Sequence, residues 1–237
     1  MISIEDLNGV SQLKKQCDLG KVLLDTMNSQ KFDLKDGDIL CISSKMCSIA
    51  SGNIVDLKKV EPSEIAKEIH EKIRRKSTEP IQVILNQTED ATGNRIMIAD
   101  NYIGGWLPTG LFLISAGVDR QGTDKAVVLP KNCDLIAKEI GEKLIGALQV
   151  QIAIVTTDSD GRVDKKGANQ VAVGLYGIDG LRKTQYEDKT YVETLCDMLA
   201  NSVGLVMGQR GVNIPVVKIR GLEYEFNESA TIEDALN

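Results

Sequence analysis

The chain has 237 residues, of which 42% are apolar and 4% aromatic, so it can bury a core as one large domain or as two small lobes. Its 28 basic and 34 acidic residues give a net charge of −6, without the basic excess expected of a nucleic-acid-binding protein. No apolar run reaches about 18 residues and no segment resembles a signal peptide, so we expect a cytoplasmic protein that does not contact a membrane.

The first half of the chain alternates helical patterns with short strands. An apolar stripe from Leu13 to Met27 predicts a helix over 12–29, and the segment 62–76 predicts a second helix with Pro62 in its first turn. Turn residues separate the other apolar runs, which predict strands at 39–44, 54–57, 81–85 and 95–99. The last two strands, joined by the polar tip TEDATGN, are expected to form a hairpin.

The second half contains continuous apolar runs, which are typical of strands covered on both faces. The patterns predict strands at 110–115, 151–155, 171–177 and 214–219, and helices over 132–149 and 190–206. The inward-facing stripe of the first of these helices is expected to include Leu135. Because helices and strands interleave without a linker, the sequence predicts a mixed α+β fold rather than two separable domains.

The histidine and cysteine content excludes several kinds of active site. The single histidine, His70, lies beside an apolar stripe of Ile65, Ile69 and Ile73, so we expect it at the surface. A Ser-His-Asp triad needs a histidine next to its nucleophile, and zinc sites usually need several His or Cys ligands. The five cysteines are scattered without a C-x-x-C pair, which is typical of free thiols in a reducing compartment.

Two predicted strands end in acidic segments. Asp119 follows the strand at 110–115, and Asp158 and Ser159 follow the strand at 151–155. Strands that deliver polar residues to an open loop commonly build sites, and two aspartates with a hydroxyl suit Mg²⁺ or Mn²⁺. The same residues also form turns that bind nothing, so both interpretations stay open. Neither an EF-hand loop nor a G-x-x-x-x-G-K-[ST] phosphate loop is present.

Five separated segments together resemble the coenzyme F420-0:L-glutamate ligase family. These segments are DGDILCISSKMCSIASGNIVDL (36–57), SAGVDRQG (115–122), IVTTDSDGR (154–162), GANQVAVGLYGIDGLR (167–182) and VGLVMGQRGVNIPVVKIRGL (203–222). They occur in the family's order and at compatible spacing. The resemblance implies a ligase-like domain over residues 8–222, which leaves 223–237 as an acidic C-terminal tail with five acids and no base.

The resemblance implies a ligase that forms a carbon–nitrogen bond. In this family GTP phosphorylates the carboxylate of coenzyme F420-0, and the amine of L-glutamate then displaces phosphate to give a γ-glutamyl amide. The resemblance also implies a compact two-lobed α+β fold, an intertwined homodimer, and divalent metals that bridge nucleotide and protein. Phosphorylation supplies the leaving group that a carboxylate lacks, and cations offset the repulsion between clustered anions.

The family's motifs assign roles to individual residues of this chain. Asp119 and Asp158 match the catalytic, metal-binding aspartates, and Ser159 and Gln209 match the other metal ligands. The residues that match the family's nucleotide contacts are Ser44, Lys45, Met207, Gly208, Gln209, Arg210 and Gly211. The implied co-substrate is GTP, and the implied cation is Mg²⁺ or Mn²⁺.

Several positions depart from the family pattern while these oxygen ligands are kept. The family's lysine in I-V-S-K-A-E-G is Ile49 here, and its nucleotide-contacting asparagine is Gly122. The tryptophan, arginine and aspartate of its G-R-P-W-R-x-G-Q-T-D stretch are Asp164, Lys165 and Gln170. These departures indicate either a different acceptor or weakened catalysis.

Three functions remain open from the sequence. The first is ligation to coenzyme F420-0, and the second is the same ligation to a folate-type pterin, whose glutamate tail is extended by the same bond. The third is a non-catalytic relative that binds a nucleotide or a partner, which the loss of the lysine at Ile49 favours and the retained oxygen ligands oppose. If the segment after Ser44 is helical, Lys45 and Ile49 share a face, and Lys45 is expected to neutralise the phosphates instead.

Overall fold

The structure, a computed structural model, describes residues 1–10, 13, 15–99, 102–162, 164–209 and 212–237. The predicted mixed α+β fold is confirmed. The helices in these ranges are α1 (Leu19–Gln30), α2 (Ser44–Ala50), α3 (Glu64–Lys72), α4 (Thr78–Thr88), α5 (Cys133–Leu148) and α6 (Leu195–Met207). Among these helices none is long and apolar enough to cross a membrane.

In the described ranges the strands belong to four sheets. They are β1 (Ser3–Asp6), β2 (Ile39–Ser43), β3 (Ile54–Asp56), β4 (Ile96–Ala99), β5 (Tyr102–Trp106), β6 (Phe112–Ile114), β7 (Val118–Gln121), β8 (Lys125–Val128), β9 (Ala153–Gly161), β10 (Ala168–Tyr176), β11 (Arg182–Tyr186), β12 (Lys189–Glu193) and β13 (Val216–Arg220).

A five-stranded main sheet in the order β1-β13-β2-β9-β10 lies at the centre of the protein. β2 and β9 run parallel, and the other neighbours are antiparallel. α1 and α5 pack on one face of this sheet and α6 packs on the other. Because both faces are covered, the residues 39–42 of β2 are all buried, as the continuous apolar run predicts.

Two three-stranded sheets form a second region beside the main sheet. Their orders are β3-β8-β7 and β4-β5-β6, and α3 and α4 surround them with a separate aliphatic core that includes Ile69, Ile81 and Leu113. Val173 of β10 belongs to this second core. The register of β10 against β9 shifts at this point, which is a β-bulge, so the edge of the main sheet joins the two regions.

The predicted hairpin over 81–85 and 95–99 is wrong in its first half. Residues 81–85 belong to α4, in which Ile81, Ile84 and Thr88 lie on a buried face at helical spacing. Short apolar runs fit a strand and a buried helix equally well, and here the helix is preceded by Ser77 in extended conformation at the N-cap position. β4 pairs with β5 instead, in an antiparallel hairpin.

Three predicted helices exist with different bounds. α1 begins at Leu19, not at 12, since Asp18 caps it by accepting a hydrogen bond from the backbone N–H of Lys21. α3 begins after the cap residue Ser63, which places Pro62 outside the helix. α6 begins at Leu195, because the residues before it form β12.

α5 agrees with the helix predicted over 132–149, apart from one side chain. Leu135 is 51% exposed, so the prediction that it faces inward is wrong. His70 is half-buried, and its Nδ1 lies 2.8 Å from the backbone oxygen of Lys76.

β11 and β12 form a separate two-stranded hairpin that the sequence did not predict. All of its strand residues except Glu193 are exposed, and Tyr186 and Tyr191 are 64% and 51% exposed. Both tyrosines lie on one face of the hairpin. Tyr191 of β12 pairs with Thr184 of β11, and Tyr186 is two residues after Thr184 in β11, so its side chain points to the same side. An isolated hairpin is marginally stable, so this one is a candidate for contact with another surface.

The acidic segment 223–237 packs against the main sheet. Phe226 meets Tyr176 edge to face with ring centroids 5.7 Å apart, and Ala230 and Ile232 are buried. The carboxylate of Asp134 accepts hydrogen bonds from the backbone N–H groups of Leu175 and Ile232, which fixes this segment to β10. The segment is therefore a packed part of the fold.

The close contact between β10 and α5 predicts a strong effect of one glycine. A Cβ on Gly174 would lie 2.5 Å from the carbonyl carbon of Cys133, so we expect Gly174→Ala to lower the free energy of unfolding by about 1–3 kcal/mol. The matched control is Gly146→Ala in α5, where a Cβ meets nothing within 4 Å. That change should be neutral or should stabilise the protein by up to about 1 kcal/mol. Urea denaturation of both variants measures the difference, and equal stabilities would contradict the predicted overlap.

Candidate active site

A cavity of about 600 Å³ opens beyond the end of β2. The predicted site residues that line it are Lys45, Asp119, Asp158, Ser159, Met207, Gly208 and Gln209. Ser44 is buried behind this wall and bonds to Asp158. Arg210 and Gly211, also predicted to contact the nucleotide, lie outside the described residues. One cavity thus collects predicted site residues from distant parts of the chain.

The parallel pairing of β2 and β9 brings the two central motifs together. Ser43, the last residue of β2, pairs with Thr157, and α2 starts immediately at Ser44. Because parallel strands point their carboxyl ends to the same edge of a sheet, the start of α2 lies next to Asp158. α2 is helical as expected, so Lys45 and Ile49 are one turn apart and both line the cavity.

The acidic residues that we expected in turns lie in strands. β9 continues to Gly161, well past the end of β2, and Asp158 and Ser159 occupy this overhanging end. Successive strand residues point to opposite faces of a sheet, so the two side chains leave β9 on opposite sides. Thr157, on the Ser159 side, has its Oγ1 3.6 Å from the Sδ of Met207 in α6. This end of β9 is paired with β10 alone, and the cavity opens where β2 no longer covers it.

Asp158 lies against α2 in an environment that favours its neutral form. The hydroxyl of Ser44 donates a hydrogen bond to Asp158 Oδ1 at 2.7 Å. Burial raises the pKa of Asp158 to about 6, the negative charges of Asp119 and Asp160 add to the rise, and the bond from Ser44 partly offsets it. Because Asp119 and Asp158 line one cavity, the negative charge of Asp119 disfavours ionisation of Asp158.

Asp119 reaches the cavity from the second region through an unusual turn. Ser115, Ala116 and Gly117 all have positive φ angles, between 49° and 67°, in a left-handed turn that directly precedes β7. This conformation is unfavourable for non-glycine residues. The ammonium of Lys76 donates to Ser115 Oγ at 3.1 Å. The strand predicted at 110–115 is shorter in the structure, where β6 covers Phe112–Ile114, because this turn begins at Ser115.

The ammonium of Lys45 forms an ion pair with Asp119 at the mouth of the cavity. Its Nζ lies 3.4 Å from Asp119 Oδ2, and the two side chains are 37% and 41% exposed. α2 therefore supplies a donor to each aspartate, a buried hydroxyl to Asp158 and a charged, half-exposed ammonium to Asp119.

A sequence profile described as F420-0:Gamma-glutamyl ligase matches residues 9–221 of the chain. The chain belongs to this family.

Curated relatives of this ligase-family chain agree with the assignment. One named Coenzyme F420:L-glutamate ligase, from Methanothermobacter thermautotrophicus, is 30% identical over 93% of this chain and 89% of its own length. Relatives with the same name from Methanococcus maripaludis and Methanocaldococcus jannaschii are 32% and 31% identical over 84% and 83% of this chain, and over 81% and 80% of their own lengths. The predicted enzyme class, a ligase that forms amide bonds, is confirmed by this membership.

The oxygen donors of this family member fit a divalent cation that is shared with phosphate. Asp119 and Asp158 provide carboxylates, and Ser159 and Gln209 line the same cavity. In the described part of the chain no three or more His, Cys, Asp or Glu side chains form a group that could hold a metal ion. Mg²⁺ is usually held by one or two carboxylates, with water and substrate phosphates as its other ligands. The donor set agrees with such a site and not with a cage made by the protein alone.

The departures from the family pattern lie at different distances from the cavity. Ile49, Gly122 and Gln170 line it, whereas Asp164 is exposed and forms an ion pair with Arg162 at 2.9 Å. Ile49 is buried and contributes to an apolar wall together with Val10, Leu13, Met46, Ile214 and Pro215. Sequence reasoning missed this wall, because its members look like ordinary core residues. In the described residues the cationic side chains that line the cavity are Lys45 and Arg120.

The raised pKa of Asp158 predicts how stability depends on pH. Since the folded protein favours the protonated carboxyl, this group contributes stability below pH 4 that is lost as the pH rises through about 6. The loss amounts to roughly 2–3 kcal/mol. We therefore expect Asp158→Asn to match the wild type in stability near pH 4, and to exceed it by about 2 kcal/mol at pH 7.5.

Urea denaturation at both pH values tests this prediction. The control is Asp164→Asn, which removes an exposed carboxylate whose pKa is lowered by its bond to Arg162. Its effect should be small and of opposite sign, because the folded state favours that charge. If Asp158→Asn is less stable than the wild type at pH 7.5, the folded protein does not disfavour the charged carboxylate of Asp158 and the prediction is wrong.

Proposed function

We propose that the chain joins L-glutamate to the carboxylate of coenzyme F420-0 through a γ-glutamyl amide, with GTP as co-substrate and Mg²⁺ or Mn²⁺ as cofactor. The observation that carries the proposal is the convergence of Asp119, Asp158 and Lys45 on one cavity, with Ser44 bonded to Asp158 behind its wall, in a member of this ligase family. The name shared by its relatives, Coenzyme F420:L-glutamate ligase, supports coenzyme F420-0 as the acceptor.

The reaction proceeds in two displacements, the first at the γ-phosphorus of GTP and the second at the acyl carbon of the acceptor. An oxygen of this carboxylate attacks the γ-phosphorus of GTP, and the bond to GDP breaks. The amine of L-glutamate then attacks the acyl carbon, the bond to phosphate breaks, and the amine loses a proton. Each step brings anions together, so the site must offset negative charge before it aligns the reacting groups.

The residues around the cavity divide this work. Asp119 and Asp158 would hold the cation, which when bound neutralises phosphate charge and aligns it with the acceptor carboxylate. Asp158, with its pKa near 6, is mainly ionised at neutral pH and keeps its orientation through Ser44. Lys45 extends from the first turn of α2 toward the same space and is positioned to contact phosphate oxygens. Ile49 and its neighbours make this side of the cavity apolar.

A ligation assay tests the proposal and separates it from the alternatives. We expect phosphate release only when L-glutamate, a nucleoside triphosphate, a divalent cation and an acceptor are all present, with coenzyme F420-0 preferred over a folate-type pterin. Asp119→Asn should lower kcat by about a hundredfold or more, because a ligand for the phosphate-bound cation is lost. Asp25→Asn, on the exposed face of α1, is the matched control and should leave kcat unchanged.

Two results of this assay would contradict the proposal. Turnover with the pterin and not with coenzyme F420-0 would identify the other acceptor. Nucleotide binding without turnover on either acceptor would identify a non-catalytic relative.

We also propose that two chains form an intertwined homodimer through the hairpin of β11 and β12. The hairpin has few contacts with the rest of its own chain and exposes Tyr186, Tyr191 and Val192. Tyrosines supply large contact area at low entropic cost, and a two-stranded ribbon gains stability when a further surface covers it.

The hairpin is tested by light scattering across a dilution series. We expect the wild type to have about twice the mass of one chain, and the double variant Tyr186→Ser, Tyr191→Ser to approach the mass of one chain because its apolar contact area is reduced. Leu135→Ser, which removes an exposed apolar side chain from α5, is the control and should remain dimeric. A wild type with the mass of one chain contradicts the dimer, and a double variant that remains dimeric contradicts the role of the hairpin.

A further inference from the structure

The two aspartates of the cavity are compensated in different ways. Asp158 accepts a hydrogen bond from the buried, neutral hydroxyl of Ser44 at 2.7 Å. Asp119 instead faces the ammonium of Lys45 at 3.4 Å, and both of these side chains are more than one third exposed. The first contact is fixed by burial. The second is an ion pair in contact with solvent, which contributes little to stability and is therefore easily exchanged.

Lys45 is built to move while its backbone stays in place. The residues of α2 that follow it, 46–50, are all buried, so the helix is anchored to the core. The lysine side chain is a compact charge on a flexible four-carbon stem. Its ammonium can therefore change partners inside the cavity without any shift of α2.

A divalent cation on Asp119 and the ammonium of Lys45 compete for the same carboxylate. A second positive charge within a few ångströms of the ammonium repels it by an amount that a solvent-exposed ion pair does not offset. The displaced ammonium needs an anion in reach. The phosphate groups of the triphosphate provide one, since Lys45 and Asp119 line the same cavity.

We propose that Lys45 exchanges partners: it neutralises Asp119 in the empty cavity and turns to phosphate when a divalent cation occupies Asp119. This proposal rests on the proposed function, in which cation and triphosphate share the cavity. Its consequence is a positive coupling between the two ligands, because each one releases the group that the other needs. By linkage the coupling is reciprocal, so the cation strengthens triphosphate binding by the same factor by which the triphosphate strengthens cation binding.

The exchange predicts effects of opposite sign for one substitution. In Lys45→Met, Mn²⁺ alone should bind about three- to tenfold more tightly, because the competing ammonium is gone. A non-hydrolysable GTP analogue in the presence of Mn²⁺ should bind at least tenfold more weakly, because phosphate loses a cationic partner. A residue that only contacts phosphate would leave Mn²⁺ affinity unchanged, and a residue with only a structural role would weaken both ligands.

Isothermal titration calorimetry of the full chain measures both affinities and needs no turnover. Lys45→Gln, a second neutral variant, guards against poor folding of Lys45→Met, and thermal denaturation reports folding for each. Lys138→Met is the matched control, since Lys138 is a similarly exposed lysine that pairs with Glu142 and Glu228 away from the cavity. It should leave both affinities unchanged.

Asp119→Asn provides the complementary measurement. With its carboxylate partner removed, Lys45 is available to phosphate from the start, so the analogue should bind more tightly than to wild type when no divalent cation is present. In wild type the addition of Mn²⁺ should raise the affinity for the analogue, and this rise should be smaller in Lys45→Met, where only the direct contact between cation and phosphate is left.

The possible results separate the exchange from the proposed function. Mn²⁺ affinity that is unchanged or weaker in both folded neutral variants overturns the exchange, even if ligation of glutamate is intact. The opposite-sign pattern without ligation on either acceptor supports the exchange and overturns the ligase function alone. Failure of wild type to bind Mn²⁺ or the analogue overturns both.

Discussion

The parallel pairing of β2 with β9 is the contact on which the rest of the site depends. Ser43 lies opposite Thr157, so the chain that leaves β2 begins α2 next to the carboxylate of Asp158. An antiparallel pair would place the end of β2 beside the start of β9 and would separate these groups by the length of the strand. One strand alignment therefore fixes the hydroxyl of Ser44, the ammonium of Lys45 and one of the two aspartates.

The other aspartate comes from a separate sheet, and the two halves of the site are joined by backbone contacts. Asp160, two residues after Asp158 in β9, accepts a hydrogen bond at 2.7 Å from the backbone N–H of Ile114 at the end of β6. The left-handed turn at 115–117 then redirects the chain into β7 and Asp119. The overhang of β9 thus links the main sheet to the second region, so the distance between the aspartates is set by packed strands and not by mobile loops.

The sequence predicts those elements whose buried residues form one regular pattern. The apolar run at 39–44 and the stripe of α5 were recognised because burial on two faces or on one helical face leaves a clear pattern. The segment 81–85 of α4 is mistaken for a strand because a run of five residues, four of them apolar, fits both structures, and Ser77 makes no side-chain hydrogen bond at the N-cap. Motifs predict Asp119 and Asp158 as site residues, but the placement of both in strands depends on pairing between distant segments. The pairing of Lys45 with Asp119 also depends on tertiary contacts and had no sequence signal.

In the overhanging end of β9, a change in chain length has a different effect from a substitution. Asp158 faces Ser44 on one side of the strand, and Ser159 faces α6 on the other, because the side-chain period of a strand is two. Insertion of one residue between Thr157 and Asp158 would turn the carboxylate to the face that Ser159 now occupies, away from the hydroxyl of Ser44. A change in chain length is therefore tolerated better in the connection between β9 and β10. An added residue there leaves every paired position on its own face.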